Sequence, residues 1–504
     1  MSDFQPVRAP RAVDLEQPRP VYVVWEITLA CNLKCRHCGS RAGAQRRNEL
    51  TTDECLALID DLHRLGTREI TLIGGEAYLR SDWLALIEAI ACKGMLCGLQ
   101  TGARALTPEK IAAAARAGLR SAGVSIDGLR EVHDDLRGVP GSFDMAIAAL
   151  RLFRMHGLSG SVNTQINTRN IGQLPELMDV IVEAGATGWQ LQLTVPMGRA
   201  ADDAALILQP YRLLELMPLL AGLVVEGRRR GLHLIPGNNV GYFGPYEAFW
   251  RSISGKIEYY GGCNAGRNGL GIEADGSIKG CPSLPSKDYV GGNIRTTPLA
   301  DLWHDSQLVG FSRDKRQNSA RLWGYCRTCY YSSECQGGCT WSAHVVSGRP
   351  GNNPFCHYRA LKLAERGLRE CIEHRAAPAG KPFDYGMFDI LVEDENGNRF
   401  PQSIFDADNV AASPSQVGRP PGELIVCGAC EQLAYPGSET CPHCGADSHR
   451  LLSSGRQPNE AAIEAARAQI ERLRTLSVIA HDTLQRISAH AESIPDFESV
   501  AHSP

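Results

Sequence analysis

The chain has 504 residues, of which 43% are hydrophobic and 21% charged, and its formal net charge at pH 7 is −4. This length is sufficient for two or more domains with substantial cores, and the near balance of charges argues against a nucleic-acid-binding surface. No run of about 18 apolar residues predicts a membrane span, and residues 1–20 are polar and proline-rich, unlike a secretion signal. We therefore expect a cytoplasmic protein with a flexible N-terminal tail over residues 1–20.

The chain contains 18 cysteines, and in a reducing cytosol so many cysteines indicate metal sites rather than disulfides. Most of them fall into three spaced groups, at residues 31–38, 263–356 and 427–444. The remaining four are expected to serve as small buried apolar residues; they are Cys55, Cys92, Cys97 and Cys371.

The first group, Cys31, Cys35 and Cys38, directly follows the apolar run 21–28, which is typical of a buried strand. Three clustered thiolates can hold three irons of a cubane cluster and leave the fourth iron open. Zinc sites and simple electron carriers usually supply four protein ligands. The alternative is a zinc loop or a loop whose cysteines bind no metal.

Strand-like and helical patterns alternate up to about residue 235. Strands are predicted at 21–28, 69–73, 95–101, 121–126, 162–166 and 189–195, and helices at 52–65, 83–91, 108–117, 143–156, 174–184 and after Pro210. Repeated strand–helix units predict an α/β fold with a parallel sheet and right-handed crossovers. If the sheet closes into a barrel, its chemistry gathers at the carboxyl ends of the strands.

The second predicted strand is followed by Gly74-Gly75-Glu76-Ala77. Two glycines allow the backbone to approach a ligand closely, and Glu76 offers a carboxylate to an ammonium group. An ordinary turn is the alternative interpretation.

The fourth predicted strand ends at Ser125-Ile126-Asp127-Gly128, and Arg137 lies on the helical pattern that follows. Ser125 and Asp127 are candidates for cofactor contact, and so is Arg137 through its positive charge. The alternatives are a polar turn for the first two and a solvated helix face for Arg137.

The three-cysteine loop and these strand-end motifs resemble the radical S-adenosylmethionine (radical SAM) superfamily. The resemblance implies a partial (β/α)₆ barrel over residues 21–235 and a catalytic 4Fe-4S cluster held by Cys31, Cys35 and Cys38. Its open iron would bind S-adenosyl-L-methionine, whose reductive cleavage gives a 5′-deoxyadenosyl radical that abstracts a substrate hydrogen. Ala77 departs from the family's Gly-Gly-Glu-Pro motif. The implied cofactor-binding residues are Gly74, Gly75, Glu76, Ser125, Asp127 and Arg137.

The second cysteine group lies in residues 236–375, after a break in the strand–helix rhythm. A hairpin with an Asp275-Gly276 turn is expected to bring Cys263 and Cys281 together. The group resembles the SPASM extension of radical SAM enzymes, which implies two auxiliary iron–sulfur clusters. One would be held by Cys326, Cys329, Cys335 and Cys356, and the other by Cys263, Cys281 and Cys339.

Many relatives have a further cysteine shortly before the first of these, and this chain has none in residues 256–260. We therefore expect one auxiliary cluster to have only three cysteine ligands. Two zinc sites are the alternative, because zinc also binds paired cysteines.

Residues 376–425 are expected to form a linker with a hairpin around 388–398, followed by a metal knuckle over 426–450. Two C-x₂-C pairs, Cys427 with Cys430 and Cys441 with Cys444, predict a tetrahedral four-thiolate site. It resembles zinc ribbons and rubredoxin-like knuckles; we favour structural zinc, whereas iron would make an electron relay. Residues 451–504 are expected to form a helix, with a heptad-like seam from Pro458 to Ile487, and a frayed tail. The seam packs on its own protein or pairs with a partner helix.

The family resemblance predicts a maturase that modifies a ribosomally made peptide after translation, using an external one-electron reductant of the flavodoxin or ferredoxin type. One alternative is sulfatase-maturase-like oxidation of a protein Cys or Ser. The other, of a different class, is a non-catalytic iron–sulfur electron relay or sensor.

Overall fold

A computed structural model describes residues 8, 11–251, 258–401, 424–430, 432–435, 440–447 and 451–452. The predicted helical seam of residues 458–487 and the Pro, Ser and Gly-rich stretch 413–422 lie outside the described residues.

One ten-stranded sheet organises the first three hundred residues or so, in the order β10-β9-β8-β1-β2-β3-β4-β5-β6-β7. Neighbouring strands from β8 through β1 to β7 are parallel, whereas β8–β9 and β9–β10 are antiparallel. The predicted α/β class with a partial barrel is confirmed, and two further parallel strands, β7 and β8, add to the six that were predicted. The strands are β1 Tyr22–Thr28, β2 Glu69–Gly74, β3 Leu96–Thr101, β4 Leu119–Ser125, β5 Ser159–Ile166, β6 Gly188–Leu193, β7 His233–Pro236, β8 Gly269–Ile272, β9 Ser277–Lys279 and β10 Gly292–Asn293.

Helices cover the outer face of this sheet, where alternate strand residues such as Trp25, Leu72 and Trp189 are fully buried in the main core. Thr51 and Thr107 cap α2 and α4 by accepting backbone N–H groups. The helices are α1 Ala12–Glu16, α2 Thr52–Arg64, α3 Trp83–Cys92, α4 Pro108–Ala117, α5 Arg130–Arg137, α6 Ser142–Met155, α7 Leu174–Glu183 and α8 Leu213–Arg229. Among the described residues one segment, Ala204–Arg229, has the length and apolar composition of a membrane span, and 67% of its apolar window is buried inside the fold.

The second cysteine region begins with strands that extend the barrel sheet. The predicted hairpin, β8 and β9, is confirmed, and β8 pairs in parallel with β1 from Tyr22–Gly269 to Trp25–Ile272. The region also contains short helices. One of them, α9 Glu247–Arg251, precedes the hairpin. The helices after the hairpin are α10 Ser286–Tyr289, α11 Leu299–Asp305, α12 Lys315–Ala320, α13 Ser332–Cys335, α14 Thr340–Ser347 and α15 His357–Ala364.

Two small antiparallel sheets complete the described chain. The first contains β11 Leu368–Ala376, β12 Met387–Asp394 and β13 Arg399–Pro401, so the predicted hairpin around 388–398 is confirmed. The second contains β14 Ile425–Cys427, β15 Leu433–Ala434 and β16 Leu451–Leu452.

Three sequence predictions were wrong. Residues 11–20 are not a free tail, because Asp14 is buried against Arg68 and the Pro18 carbonyl accepts a hydrogen bond from Trp303. The first part of the linker is ordered, since Ala376 ends β11 and Asp384 contacts the barrel. Cys92 is exposed at the end of α3, unlike the other three ungrouped cysteines.

Charged side chains are buried where β1 meets β8 and β9. Arg46 lies 3.1 Å from Glu26 and 3.0 Å from Glu273, and the fully buried Lys279 lies 2.8 Å from Glu273. Burial raises the pKa of Glu26 to about 7, and the charge of Arg46 offsets only part of this effect. Burial also acts on Glu273, but Lys279, Ser286 and Arg46 together outweigh it, and the pKa of Glu273 is lowered.

Replacing Glu26 with Gln should raise the free energy of unfolding relative to wild type. This increase should be larger at about pH 8 than at about pH 5. The folded pKa of about 7 lies above the ordinary 4.5, so ionisation of Glu26 destabilises the fold increasingly as pH rises through this range. At about 1.4 kcal/mol per pKa unit, the variant should gain about 2–3 kcal/mol in free energy of unfolding over this interval. Urea unfolding at both pH values measures it. Glu273→Gln is the control that should show no such gain, and an equal pH dependence in wild type and Glu26→Gln would contradict the assignment.

Candidate active site and auxiliary thiolate groups

The loop after β1 gathers three thiols at the carboxyl edge of the sheet. Cys35 is buried, Cys31 and Cys38 are half-buried, and all three pack with Leu33 and Val139. The Leu33 and Ala42 N–H groups donate to the sulfurs of Cys31 and Cys38 at 3.4 Å. Burial raises the pKa of Cys31 to about 12, and the neighbouring thiols add to the effect. These buried thiols become thiolates only with a compensating positive charge, which the irons of a cluster would supply, so the donor set fits the implied 4Fe-4S group.

The glycines after β2 hold the backbone against this loop. Gly75 N–H donates to the Thr28 carbonyl and Glu76 N–H to the Ala30 carbonyl, both at 2.8 Å. A Cβ atom on residue 75 would lie 2.1 Å from the Ala30 oxygen and 2.7 Å from the Cys31 Cβ. The sequence predicted close approach to a ligand; in the structure the close approach of Gly75 is to the cysteine loop itself.

Glu76 is almost completely buried beside the loop. Its carboxylate accepts hydrogen bonds from the Thr101 hydroxyl at 2.5 Å and the Gly102 N–H at 2.6 Å. Burial raises the pKa of Glu76 to about 7 despite these two donors. An ammonium group against the carboxylate would favour its ionised form, as the predicted contact with the methionyl amino group requires. Thr101 and Gly102 carried no sequence prediction because their stretch lacks the asparagine common in relatives.

Asp127 is fully buried under the cysteine loop, where it contacts Arg137 and His37. Its Oδ2 lies 3.0 Å from Nε2 of His37 and 2.5 Å from a guanidinium nitrogen of Arg137. Another guanidinium nitrogen of Arg137 lies 3.6 Å from the Cys35 sulfur. Burial opposes ionisation of Asp127, but Arg137 and His37 together hold its pKa well below the usual range.

The predicted contact of Asp127 and Arg137 with the cofactor stays a prediction, and the structure adds what these side chains touch in the protein. Arg137 is nearly buried, so the alternative of a solvated helix face is wrong. Both residues contact the cysteine loop directly, and His37, inside the cysteine motif, was missed. Ser125 is half-buried at the end of β4, paired in register with Asn163 of β5.

Two arginines make a second set of contacts that hold the cysteine loop. Arg199 donates to the Cys35 carbonyl at 2.7 Å and to the Ala42 carbonyl at 3.2 Å. Arg41 bridges Asp202 at 2.6 Å and Asp384 at 2.8 Å. Sequence patterns had no means of finding Arg41 and Asp384, which are 343 positions apart.

The mutual influences among the seven cysteines of the second region are consistent with the two ligand groups that the family resemblance implied, which stay a prediction. Burial raises the pKa of Cys339 to about 12, and the adjacent Cys263 and Cys281 raise it further. Burial likewise raises the pKa of Cys329 to about 12, with a contribution from Cys326. Burial also raises the pKa of Cys335 well above its ordinary value, and Cys356, Cys326 and Cys329 contribute to the increase. Tyr289 packs against Cys263 and Cys281, and its hydroxyl lies 3.0 Å from Nδ1 of His344.

The four C-terminal cysteines form a compact site. The sulfurs of Cys427, Cys430, Cys441 and Cys444 all lie within 4.8 Å of one another. Cys427 and Cys444 are separated by 3.8 Å, and Cys430 and Cys441 by 3.7 Å. Metal–sulfur bonds of about 2.3 Å in a tetrahedron put sulfurs about 3.8 Å apart, so the spacing fits one metal ion.

Family models match both parts of this chain. Residues 25–181 match the model of the radical SAM superfamily, and residues 263–330 match that of the SPASM iron–sulfur cluster-binding domain. Mycofactocin maturase MftC of Mycobacterium tuberculosis is 31% identical over 359 residues, which cover 69% of this chain and 86% of MftC. The chain belongs to the radical SAM superfamily. As a radical SAM enzyme with a SPASM domain, it uses S-adenosyl-L-methionine and 4Fe-4S clusters.

Other similar proteins differ in name and chemistry. AdoMet-dependent heme synthase of Nitratidesulfovibrio vulgaris is 28% identical over 365 residues, covering 70% of this chain and 96% of the synthase. Streptococcus suis SuiB, solved bound to its precursor peptide SuiA, has a TM-score of 0.54 at 20% identity, covering 67% of this chain and 75% of SuiB. The structure of anSMEcpe with bound AdoMet has a TM-score of 0.55 at 17% identity, covering 68% of this chain and 95% of that chain. At these identities the two structures establish the shared fold.

Replacing Gly75 with Ala should displace the cysteine loop and lower iron at the catalytic site several-fold, because the added Cβ would overlap Ala30 and Cys31. Iron content and the electron paramagnetic resonance signal of the S-adenosylmethionine-bound cluster measure the loss. Gly43→Ala is the matched control in the same loop, since a Cβ there meets no atom within 4 Å. Equal cluster content in both variants would contradict the close-approach argument.

Replacing Asp127 with Asn should lower the free energy of unfolding by about 3–5 kcal/mol, because Arg137 would stay buried without its counter-charge. The double variant Asp127→Asn with Arg137→Met should recover part of this loss. The exposed pair Arg130–Asp144 gives the comparison. Asp144→Asn should lower the free energy of unfolding by less than about 1 kcal/mol. Denaturant unfolding of the wild type, Asp127→Asn, Arg137→Met, the double variant and Asp144→Asn measures these changes, and strict additivity of the two single losses in the double variant would refute the pairing.

Proposed function

We propose that this radical SAM enzyme is a maturase that abstracts a hydrogen atom from a ribosomally made peptide and so modifies it after translation. The observation that carries the substrate class is the neutral, carboxamide-rich inner face of the barrel. The names of two similar proteins support it: MftC is a maturase, and SuiB was solved with a precursor peptide.

The inner face follows from strand alternation. On β6, Trp189 and Leu191 are buried in the outer core, so Gln190 and Gln192 point inward. A Cβ atom on Gly123 of β4 would lie 2.2 Å from the Gln100 side chain and 2.6 Å from that of Asn163. Gln100 and Asn163 also hydrogen-bond each other across the interior.

Carboxamides suit a peptide because they donate and accept hydrogen bonds, as the peptide main chain does. A heme precursor bears carboxylates, which Arg and Lys recognise best. Arg46 and Lys279 are already paired with glutamates, and Arg137 is paired with Asp127. The charge pattern thus supports a peptide over the substrate class suggested by the heme synthases.

The residues have distinct roles in this proposal. Cys31, Cys35 and Cys38 would hold the catalytic cluster, which would supply the electron for reductive cleavage of S-adenosyl-L-methionine. Glu76 would receive the ammonium group of the cofactor, and Asp127 orients Arg137 beside Cys35. Gly74, Gly75 and Ser125 complete the cofactor wall at the ends of β2 and β4.

The metal sites beyond the catalytic cluster are assigned on the same basis. We infer one auxiliary cluster on Cys326, Cys329, Cys335 and Cys356, and a second on Cys263, Cys281 and Cys339 with only three cysteine ligands. The four C-terminal thiolates hold one zinc ion in a structural role. The electron comes from a cytoplasmic flavodoxin or ferredoxin.

Co-expression with a candidate short precursor peptide should give a product of altered mass, which mass spectrometry detects. Reduced enzyme given S-adenosylmethionine should release 5′-deoxyadenosine, and Cys35→Ala should abolish this product while Cys92→Ala, at an exposed ungrouped cysteine, leaves it unchanged. Oxidation of a sulfatase Cys or Ser, or turnover of a heme precursor but no peptide, would overturn the substrate assignment. Absence of 5′-deoxyadenosine from the wild type would instead indicate a relay or sensor.

A further inference from the structure

The four-cysteine site lies in a segment that we call the cysteine module, the described part of residues 424–447. We propose that this module is a metal-dependent cap over the auxiliary group of Cys326, Cys329, Cys335 and Cys356, where it excludes water and keeps the reduction potential of that cluster low. The proposal does not depend on the peptide substrate. It depends on the proposed metal sites in two respects. The module must bind one metal ion, and the auxiliary group must hold a cluster.

Polar contacts fasten the module to the segment that carries the auxiliary cysteines. The Tyr331 hydroxyl donates to the Leu433 carbonyl at 2.5 Å and lies 2.9 Å from Nε2 of His443. The Tyr435 N–H donates to the Tyr330 hydroxyl at 3.0 Å. Tyr330 and Tyr331 directly follow Cys329, so these hydrogen bonds reach the edge of the auxiliary group.

An aromatic wall fills the space between the two sites. Phe243 stacks on Tyr331 with ring centroids 4.0 Å apart and an interplanar angle of 8°. Tyr358, two residues after Cys356, meets Tyr331 edge to face at 4.9 Å. On the module side, the ring of His443 lies 5.1 Å from Tyr330 and 5.7 Å from Tyr358.

The module and the auxiliary cysteines share one buried cluster. Leu424, Leu433 and Tyr435 of the module belong to the same apolar cluster as Cys335 and Cys356. Tyr331 belongs to this cluster as well, and its hydroxyl contacts Leu433 and His443 of the module. Tyr331 therefore joins the module to the buried cluster that contains the auxiliary cysteines.

The metal controls the cap because the module is too small to have a core of its own. In the sequence, His443 lies between the ligands Cys441 and Cys444. Metal binding therefore fixes the position of the His443 ring against the aromatic wall. Reduction adds negative charge to a cluster that already carries four thiolates, and water stabilises that charge. Excluding water therefore lowers the potential and slows the loss of iron.

The test compares three variants in a background in which Cys31, Cys35 and Cys38 are alanine, so that only auxiliary clusters are observed. Cys444→Ser removes an exposed metal ligand, Tyr331→Phe removes only the hydroxyl contacts of the wall, and Cys92→Ser is the control for loss of an exposed thiol. Metal analysis, chelator-driven iron release and potentiometric titration followed by electron paramagnetic resonance are measured on each protein.

We expect Cys444→Ser to lose the metal ion of the module, and both Cys444→Ser and Tyr331→Phe to release auxiliary iron several-fold faster, with the potential shifted to more positive values. Cys92→Ser should match the parent protein. Loss of the module metal with unchanged iron release and potential would overturn the proposal. If Cys444→Ser is insoluble, Tyr331→Phe decides alone, because it retains all four metal ligands. A parent protein without metal in the module would refute the metal assignment, whereas retained iron and an unshifted potential in Tyr331→Phe would refute the cap.

Discussion

The buried carboxylate of Asp127 is the interaction on which the proposed catalytic centre depends. It neutralises Arg137 and contacts His37, and these two residues come from α5 and from inside the cysteine motif. A fully buried charge is stable only when it is paired, so the cysteine loop cannot leave the end of β4 without exposing or orphaning one of these groups. The same pairing aims Arg137 at Cys35, where a positive charge and N–H donation influence a cluster thiolate.

Other contacts bind distant parts of the chain to the same loop. Gly75 packs the end of β2 against it, Arg199 holds its carbonyls, and Arg41 connects it to Asp384 in the loop before β12. The hairpin between Cys263 and Cys281 extends the barrel sheet by pairing β8 with β1, the strand that leads into Cys31. Main-chain hydrogen bonds therefore join the strand before the cysteine loop to the segment between these two cysteines.

The cysteine module shows how an added element is joined to this framework. Its contacts are made by aromatic residues that immediately follow an auxiliary cysteine, so a small metal-bound segment gains a buried face without a core of its own. The inner face of the barrel has a different character, with neutral carboxamides in a space surrounded by paired charges.

The sequence by itself determined where thiols cluster and the order of the elements. The C-x₃-C-x₂-C spacing in one loop, two C-x₂-C pairs, and the strand and helix periods are local features, decided over a few residues by chain geometry and the apolar pattern. The Asp-Gly hairpin is local in the same way. Only the tertiary structure decided that residues 11–20 pack against the fold, that Gly75 approaches the cysteine loop, and that Asp127 pairs with both His37 and Arg137. These outcomes depend on which side chains lose water together, and that is set by packing between residues up to hundreds of positions apart, such as Arg41 and Asp384.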